Sequence, residues 1–147
     1  MTNEYVVDAN ILIYAYDRSE TEKQIKARNA LDWLQSQKAG YLTTQVLGEF
    51  FWTTTRRLAK PLSRAEAFAE VEKHLRAWRV LAITPAIVFD AARAAARYQL
   101  QYWDAQIWAT AKLNQIPTVL TEDFQHGRRI EGVQFLNPLT GDFPGKE

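Results

Sequence analysis

The chain has no cysteine, which excludes disulfides, a thiol nucleophile and a thiolate metal site. It has only two histidines, which argues against an imidazole-rich metal centre. No apolar run approaches the roughly 18 residues that mark a membrane helix. The N-terminus shows no basic segment followed by an apolar core, so the chain is expected not to be secreted and to act in the cytoplasm. Strong charge of one sign is also missing. A net charge of +1 does not describe a globally basic nucleic-acid binder, so any such binding must come from a local patch. Pro-rich or Gly-rich tracts that would mark a linker are absent as well.

What is present is an ordinary globular composition, 47% hydrophobic and 24% charged over 147 residues. That length fits one domain over 1–147, and the Pro- and Gly-containing tail from about Pro138 is expected to fray. The β-branched run ending at Asp8 reads as a buried strand over Glu4 to Asp8, with Asn10 suited to cap a short helix to Tyr16. Ala27, Ala30, Leu31 and Leu34 share one face of a helix from Glu22 to Gln37, which Gly40 would stop. Further strands are expected at Tyr41–Thr43, Val80–Ile83, Thr118–Thr121 and Val133–Leu136.

The helices between them carry apolar stripes. These are Leu47, Phe51, Thr54 and Leu58, then Phe68, Val71, Leu75 and Trp78, then Val88, Ala91, Ala92 and Ala95. Trp78 and Trp108 lie on such stripes and read as core, whereas Trp52 lies off its stripe and is available for base stacking or a partner. Gly48 inside a helix suggests close approach of another element. His74 reads as a surface residue, His126 as a loop residue, and Tyr14 and Tyr16 as exposed aromatics. Strands alternating with helices give a three-layer α/β/α sandwich around a mostly parallel sheet of about five strands.

In such a fold ligands collect outside the C-terminal ends of the strands. Asp8 ends the first strand, Asp123 follows the fourth, Asp104 opens a helix on its apolar side, and Glu49 lies early in the helix after the second strand. Four acids on one rim would repel one another unless a divalent cation neutralised them, and an all-oxygen donor set suits Mg²⁺ or Mn²⁺. Spacing alone puts Glu49 opposite Leu47, Phe51 and Leu58, on the solvent side with Arg56. It does not choose between Asp123 and its neighbour Glu122.

These stretches carry a resemblance. Val7-Asp8-Ala9-Asn10-Ile11-Leu12, Gln45-Val46-Leu47-Gly48-Glu49-Phe50, Tyr102-Trp103-Asp104-Ala105-Gln106-Ile107, and Leu120-Thr121-Glu122-Asp123-Phe124-Gln125-His126-Gly127, closed by Asn137-Pro138, follow one another in the order of the PIN domains. The chain resembles in particular the VapC-type ribonuclease toxins of toxin–antitoxin pairs. The resemblance implies a Mg²⁺- or Mn²⁺-dependent endoribonuclease that leaves a 5′-phosphate and a 3′-hydroxyl. Asp8, Glu49, Asp104 and Asp123 would be its acidic quartet, with Asn10 and Thr121 supporting the site. It turns Glu49 toward the cleft and selects Asp123 over Glu122.

A VapB-type antitoxin and a homodimer are implied too. Cations near the acids would have to receive the RNA backbone, and the candidates are Arg56, Arg57, Lys60, Arg128 and Arg129, with Arg64 nearby. Two other readings compete: a PIN nuclease of RNA processing or decay, and a non-catalytic PIN-like binding module. A phosphatase with an aspartyl nucleophile is disfavoured, because Asn10 stands where such enzymes usually carry a second acid.

Overall fold

The structure is a computed structural model and describes residues 3–141 and 143. The buried β-branched segment Tyr5–Val7 forms β1 at the centre of the sheet. β1 pairs in parallel with β2 (Gly40–Thr43) on one side and with β4 (Thr118–Leu120) on the other. Among the described residues six strands are ordered β3-β2-β1-β4-β6-β5, where β3 is Arg79–Leu81, β5 is Arg129–Ile130 and β6 is Val133–Leu136. All pairings are parallel except β5 with β6.

The chain leaves β1 toward β2 and β3, then crosses back to the opposite side at β4. Right-handed crossovers therefore put α1 (Ala9–Tyr14), α2 (Thr21–Gln37), α3 (Thr44–Thr54) and α4 (Arg64–Ala77) on one face. They put α5 (Pro85–Tyr98) and α6 (Tyr102–Leu113) on the other. This is the expected three-layer α/β/α sandwich. The reversal of strand order between β1 and β4 opens a crevice at their C-terminal tips.

The sixth strand is the element that the sequence reading omits. β5 and β6 form a hairpin whose two-residue turn, Glu131-Gly132, has positive φ at both positions, 45° and 88°. That is type I′ geometry, which matches the twist of the strands. Glu131 is held in this conformation by Tyr98, Arg93 and Lys112, the last two of which also pair with Asp90. The cluster ties the hairpin to α5 and α6.

Local corrections follow from how the helices pack. The expected face of α2 is buried, but the helix ends on Lys38 in the left-handed conformation, and Gly40 is the first residue of β2. α3 buries Val46, Leu47, Phe50 and Thr54, a stripe rotated from the expected one. α4 turns Ala67 and His74 inward and leaves Phe68 and Leu75 more than half exposed. His74 is thus a buried residue, hydrogen-bonded to the Tyr16 hydroxyl and edge-on to Phe50. α5 buries Ile87, Asp90, Ala91 and Ala94, while Val88 and Ala92 face out. Tyr14 and Tyr16 are half-buried and engaged with Glu122 and Glu70. Trp108 and Trp78 are core, and the Trp108 indole donates to the Ile130 carbonyl.

The expected fraying does not hold at Leu139, which joins the core, or at Phe143, which packs edge-on against Tyr5 and Trp33. The rest of that expectation falls outside the described residues. No helix among the described residues is long and apolar enough to cross a membrane.

The close approach expected at Gly48 is found at Gly40 instead. A Cβ at Gly40 would stand 2.5 Å from the Trp78 ring, whereas one at Gly48 would meet nothing within 4 Å. Gly48→Ala should therefore raise stability by about 0.5–1 kcal/mol through helix propensity. Gly40→Ala should lower it by about 1–3 kcal/mol through overpacking. Denaturant titration checks both; loss of stability in Gly48→Ala would mean that α3 has a close neighbour after all.

Candidate active site

Strand β1 delivers Asp8 to the crevice, and β4 delivers Thr121 beside it. Asp8, not Asn10, caps α1. Its Oδ1 accepts from the Ala9 N–H at 2.7 Å and its Oδ2 accepts from the Thr121 hydroxyl at 2.8 Å. The same Thr121 oxygen accepts from Asn10 Nδ2 at 3.1 Å and from the Asp123 N–H at 3.2 Å. One hydroxyl thus donates once and accepts twice, which saturates it. Asn10 completes the stitch by accepting the Glu122 N–H at 3.3 Å. Asn10 therefore binds the β4 loop instead of a helix end.

The four sequence-predicted acids line one cleft of about 880 Å³. Asp8 is buried at its floor, Asp104 and Glu49 are half-buried, and Asp123 is exposed. Glu49 therefore faces the cleft and not bulk solvent; the spacing argument failed because the α3 stripe is rotated. The neighbouring Glu122 is occupied elsewhere, accepting from the Tyr14 hydroxyl at 2.6 Å and pairing with Lys23 at 2.8 Å. That leaves Asp123 as the acid of this loop that reaches the cleft.

A polar relay that the sequence reading missed joins the two helical layers. The Tyr102 hydroxyl donates to Gln106 Oε1, Gln106 Nε2 to Gln45 Oε1, and Gln45 Nε2 to Glu49 Oε1, at 2.8, 2.8 and 2.7 Å. Every donor points toward Glu49, so the relay orients that carboxylate and offers it an N–H. Gln106 is buried, and leaving it unpaired would be costly. No motif announces such amides; their legible signal is Gln106 on the buried face of α6, two positions past Asp104.

Of the expected cations, Arg56 stacks 3.7 Å over the Trp52 ring, which lines the cleft. Arg56 itself does not line the cleft, and neither do Arg57, Lys60, Arg128 and Arg129. Arg128 lies over Phe124, and Arg129 is exposed on the edge strand β5. His126 accepts the Asn137 N–H and serves its loop, as expected.

Electrostatics single out Asp8. Burial pushes its carboxyl up to about 7, opposed by the hydrogen bonds from Thr121 and Ala9 and reinforced by the charges of Glu49 and Asp104. Asp104 is raised as well, by burial first and then by Asp123 and Glu49. Among the described residues no three acidic or histidine side chains are drawn into a ready-made cage. The carboxylates instead line an open cleft with room for water. This donor set fits Mg²⁺ or Mn²⁺, since Mg²⁺ usually takes one or two protein carboxylates and keeps several waters.

The family model of the PIN domain matches residues 5–130. The chain belongs to the PIN-domain family. No curated protein matches it. Among solved structures, a toxin–antitoxin complex from Klebsiella pneumoniae is similar at TM-score 0.66 and 20% identity, covering 92% of this chain and 98% of that one. DNA-bound VapBC from Salmonella typhimurium follows at 0.67 and 17%, covering 93% and 99%. VapC20 from Mycobacterium tuberculosis, described as a sarcin-ricin loop cleaving toxin, gives 0.61 and 18%, covering 79% and 87%. These likenesses establish the shared fold of this PIN domain.

The raised Asp8 has a consequence for stability. A carboxyl whose folded pKa lies above its unfolded value of 3.8 stabilises the fold at low pH and loses that contribution as pH rises toward 7. In chelator, Asp8→Asn should be more stable than wild type at pH 8. Its advantage over wild type should grow between pH 5 and pH 8 by an amount on the order of 2–3 kcal/mol. Thermal unfolding of both proteins at the two pH values checks this; a variant less stable than wild type at pH 8 would contradict it.

Proposed function

We propose that this PIN domain is a metal-dependent endoribonuclease and the toxin of a VapBC-type toxin–antitoxin pair. The observation that carries the reading is the convergence of Asp8, Glu49, Asp104 and Asp123, from four separate segments, on one cleft at the β1–β4 reversal. The toxin role is further supported by the overall likeness to toxin–antitoxin structures. Asp8, Asp104 and Asp123 would hold Mg²⁺ or Mn²⁺, with Glu49 as a further ligand or as the group that orients the attacking water. The cation would supply an activated water and neutralise charge on the phosphoryl oxygens.

The remaining work falls to the chain's own residues. Thr121 and Ala9 hold the Asp8 carboxylate in one orientation. Their hydrogen bonds favour its ionised form against the effect of burial. The Gln106–Gln45 relay fixes Glu49. Asn10 and Thr121 keep the Asp123 loop against β1. Products would carry a 5′-phosphate and a 3′-hydroxyl.

A VapB-type antitoxin and a second copy of this chain are the proposed protein partners, and the cytoplasm the proposed site of action. The open apolar groove between α3 and α4, bordered by Phe51, Phe68 and Leu75, supports a protein partner. A non-toxin role in RNA processing remains the rival, and it predicts no growth arrest on expression.

Asp8→Asn should keep the fold and lose Mg²⁺-dependent RNA cleavage by a factor of at least about 10². Expression of wild type without an antitoxin should arrest growth, and expression of Asp8→Asn should not. Sequencing 5′ ends of cellular RNA after induction reads the cleavage, and culture density reads the arrest. Cleavage undiminished in Asp8→Asn would sink the nuclease assignment; cleavage without growth arrest would favour the rival.

A further inference from the structure

Two indoles border the acids. Trp52 follows Glu49 on α3, and Trp103 directly precedes Asp104 at the start of α6. Both line the cleft, and both are more than half exposed, at 53% and 55%. Such rings carry about 150–250 Å² of surface that folding normally covers. These two are oriented by their neighbours while more than half of their surface stays open. The Arg56 guanidinium lies 3.7 Å over the Trp52 ring. The Trp103 ring stands edge-on to Tyr102 with centroids 5.1 Å apart, and its carbonyl accepts from Gln45 at 3.4 Å. Each helical layer therefore presents one preoriented aromatic face beside one of the acids.

We infer that Trp52 and Trp103 are stacking platforms for unpaired RNA bases flanking the cleaved phosphodiester. The substrate class is then single-stranded or looped RNA, not duplex. This rests on the nuclease reading above and adds to it the two side chains that would hold the bases beside the cut. An acidic cleft gives a polyanion little reason to enter. Stacking is indifferent to that charge, and it tolerates sequence because every base has a π-face. Bases inside an A-form duplex are already stacked and cannot reach a side-chain ring, whereas splayed loop bases can. Arg56 lies over one face of the Trp52 ring and adds a cation there, which leaves the opposite face for a base and a positive charge for the backbone. A protein partner finds a mostly apolar surface in the α3–α4 groove, which none of the four acids lines.

The test is binding of a short, unstructured, end-labelled RNA to the whole chain, with Ca²⁺ in place of Mg²⁺ and the RNA verified intact afterwards. Trp52→Ala and Trp103→Ala should each weaken binding about 5- to 150-fold. Trp52→Phe and Trp103→Phe should recover most of the loss, and the same sequence as a duplex should bind at least about tenfold more weakly than the single strand. Wild-type affinity in both alanine variants, or equal affinity for duplex and single strand, overturns the inference and returns the indoles to a protein contact. Cleavage that depends on Asp8 together with unchanged binding in the alanine variants would reject the platforms alone. Absent cleavage with the predicted binding losses would reject the nuclease reading and retain the platforms.

Discussion

The site depends on one hydrogen bond, from the Thr121 hydroxyl to the Asp8 carboxylate at 2.8 Å. Asp8 is buried where an ionised carboxylate is disfavoured, and desolvation pushes it up to about 7. The hydroxyl counters that penalty. Because the same oxygen also receives Asn10 and the Asp123 N–H, the contact that favours charge on Asp8 fixes the loop carrying the last acid. Charge and geometry are therefore set together. A valine at position 121 would fill the same space but remove the hydroxyl that joins Asp8, Asn10 and Asp123.

The sheet topology explains why these residues meet. β1 and β4 are parallel neighbours in register, with Val7 opposite Leu120, so the residues just after them, Asp8 and Thr121, emerge side by side. Helices α3 and α6 start at the same rim from opposite layers, which brings Glu49 and Asp104 to the cleft. The amide relay between Gln45 and Gln106 then spans the gap between the layers. A cluster of like charges is thereby held open by polar contacts whose partners are all satisfied; no buried side-chain nitrogen or oxygen among the described residues lacks one. The unresolved strain is electrostatic, and it is the kind that a cation relieves.

Much of this was legible in the sequence. The β-branched run before Asp8, the Ala-Leu face of α2 and the alternation of strands and helices gave the architecture, because burial imposes those patterns directly. Asp8 and Asp104 could be placed by periodicity. Glu49 could not: Val46, Leu47, Phe50, Phe51 and Trp52 spread apolar side chains around its helix, and only the resemblance to PIN domains turned it inward. Asp123 was chosen over Glu122 by motif alone, and the structure supplies the physical reason in the Tyr14–Lys23 pairing of Glu122. What stayed hidden was set by tertiary context. His74 replaces an apolar residue in the core because Tyr16 hydrogen-bonds to it, and Phe68 and Leu75 stay outside on what looked like a buried stripe. The Glu131-Gly132 turn escaped notice because glutamate rarely adopts positive φ without the cations that hold it here.

The central claim is that the acids of this cleft form a divalent-cation centre. Its most direct test is anomalous diffraction from crystals grown in Mn²⁺. The account predicts a Mn²⁺ peak within bonding distance of an Asp8 carboxylate oxygen, with Asp104 or Asp123 and water completing the coordination. Saturating Mn²⁺ with no anomalous peak in the cleft, while the four carboxylates are ordered, would contradict it.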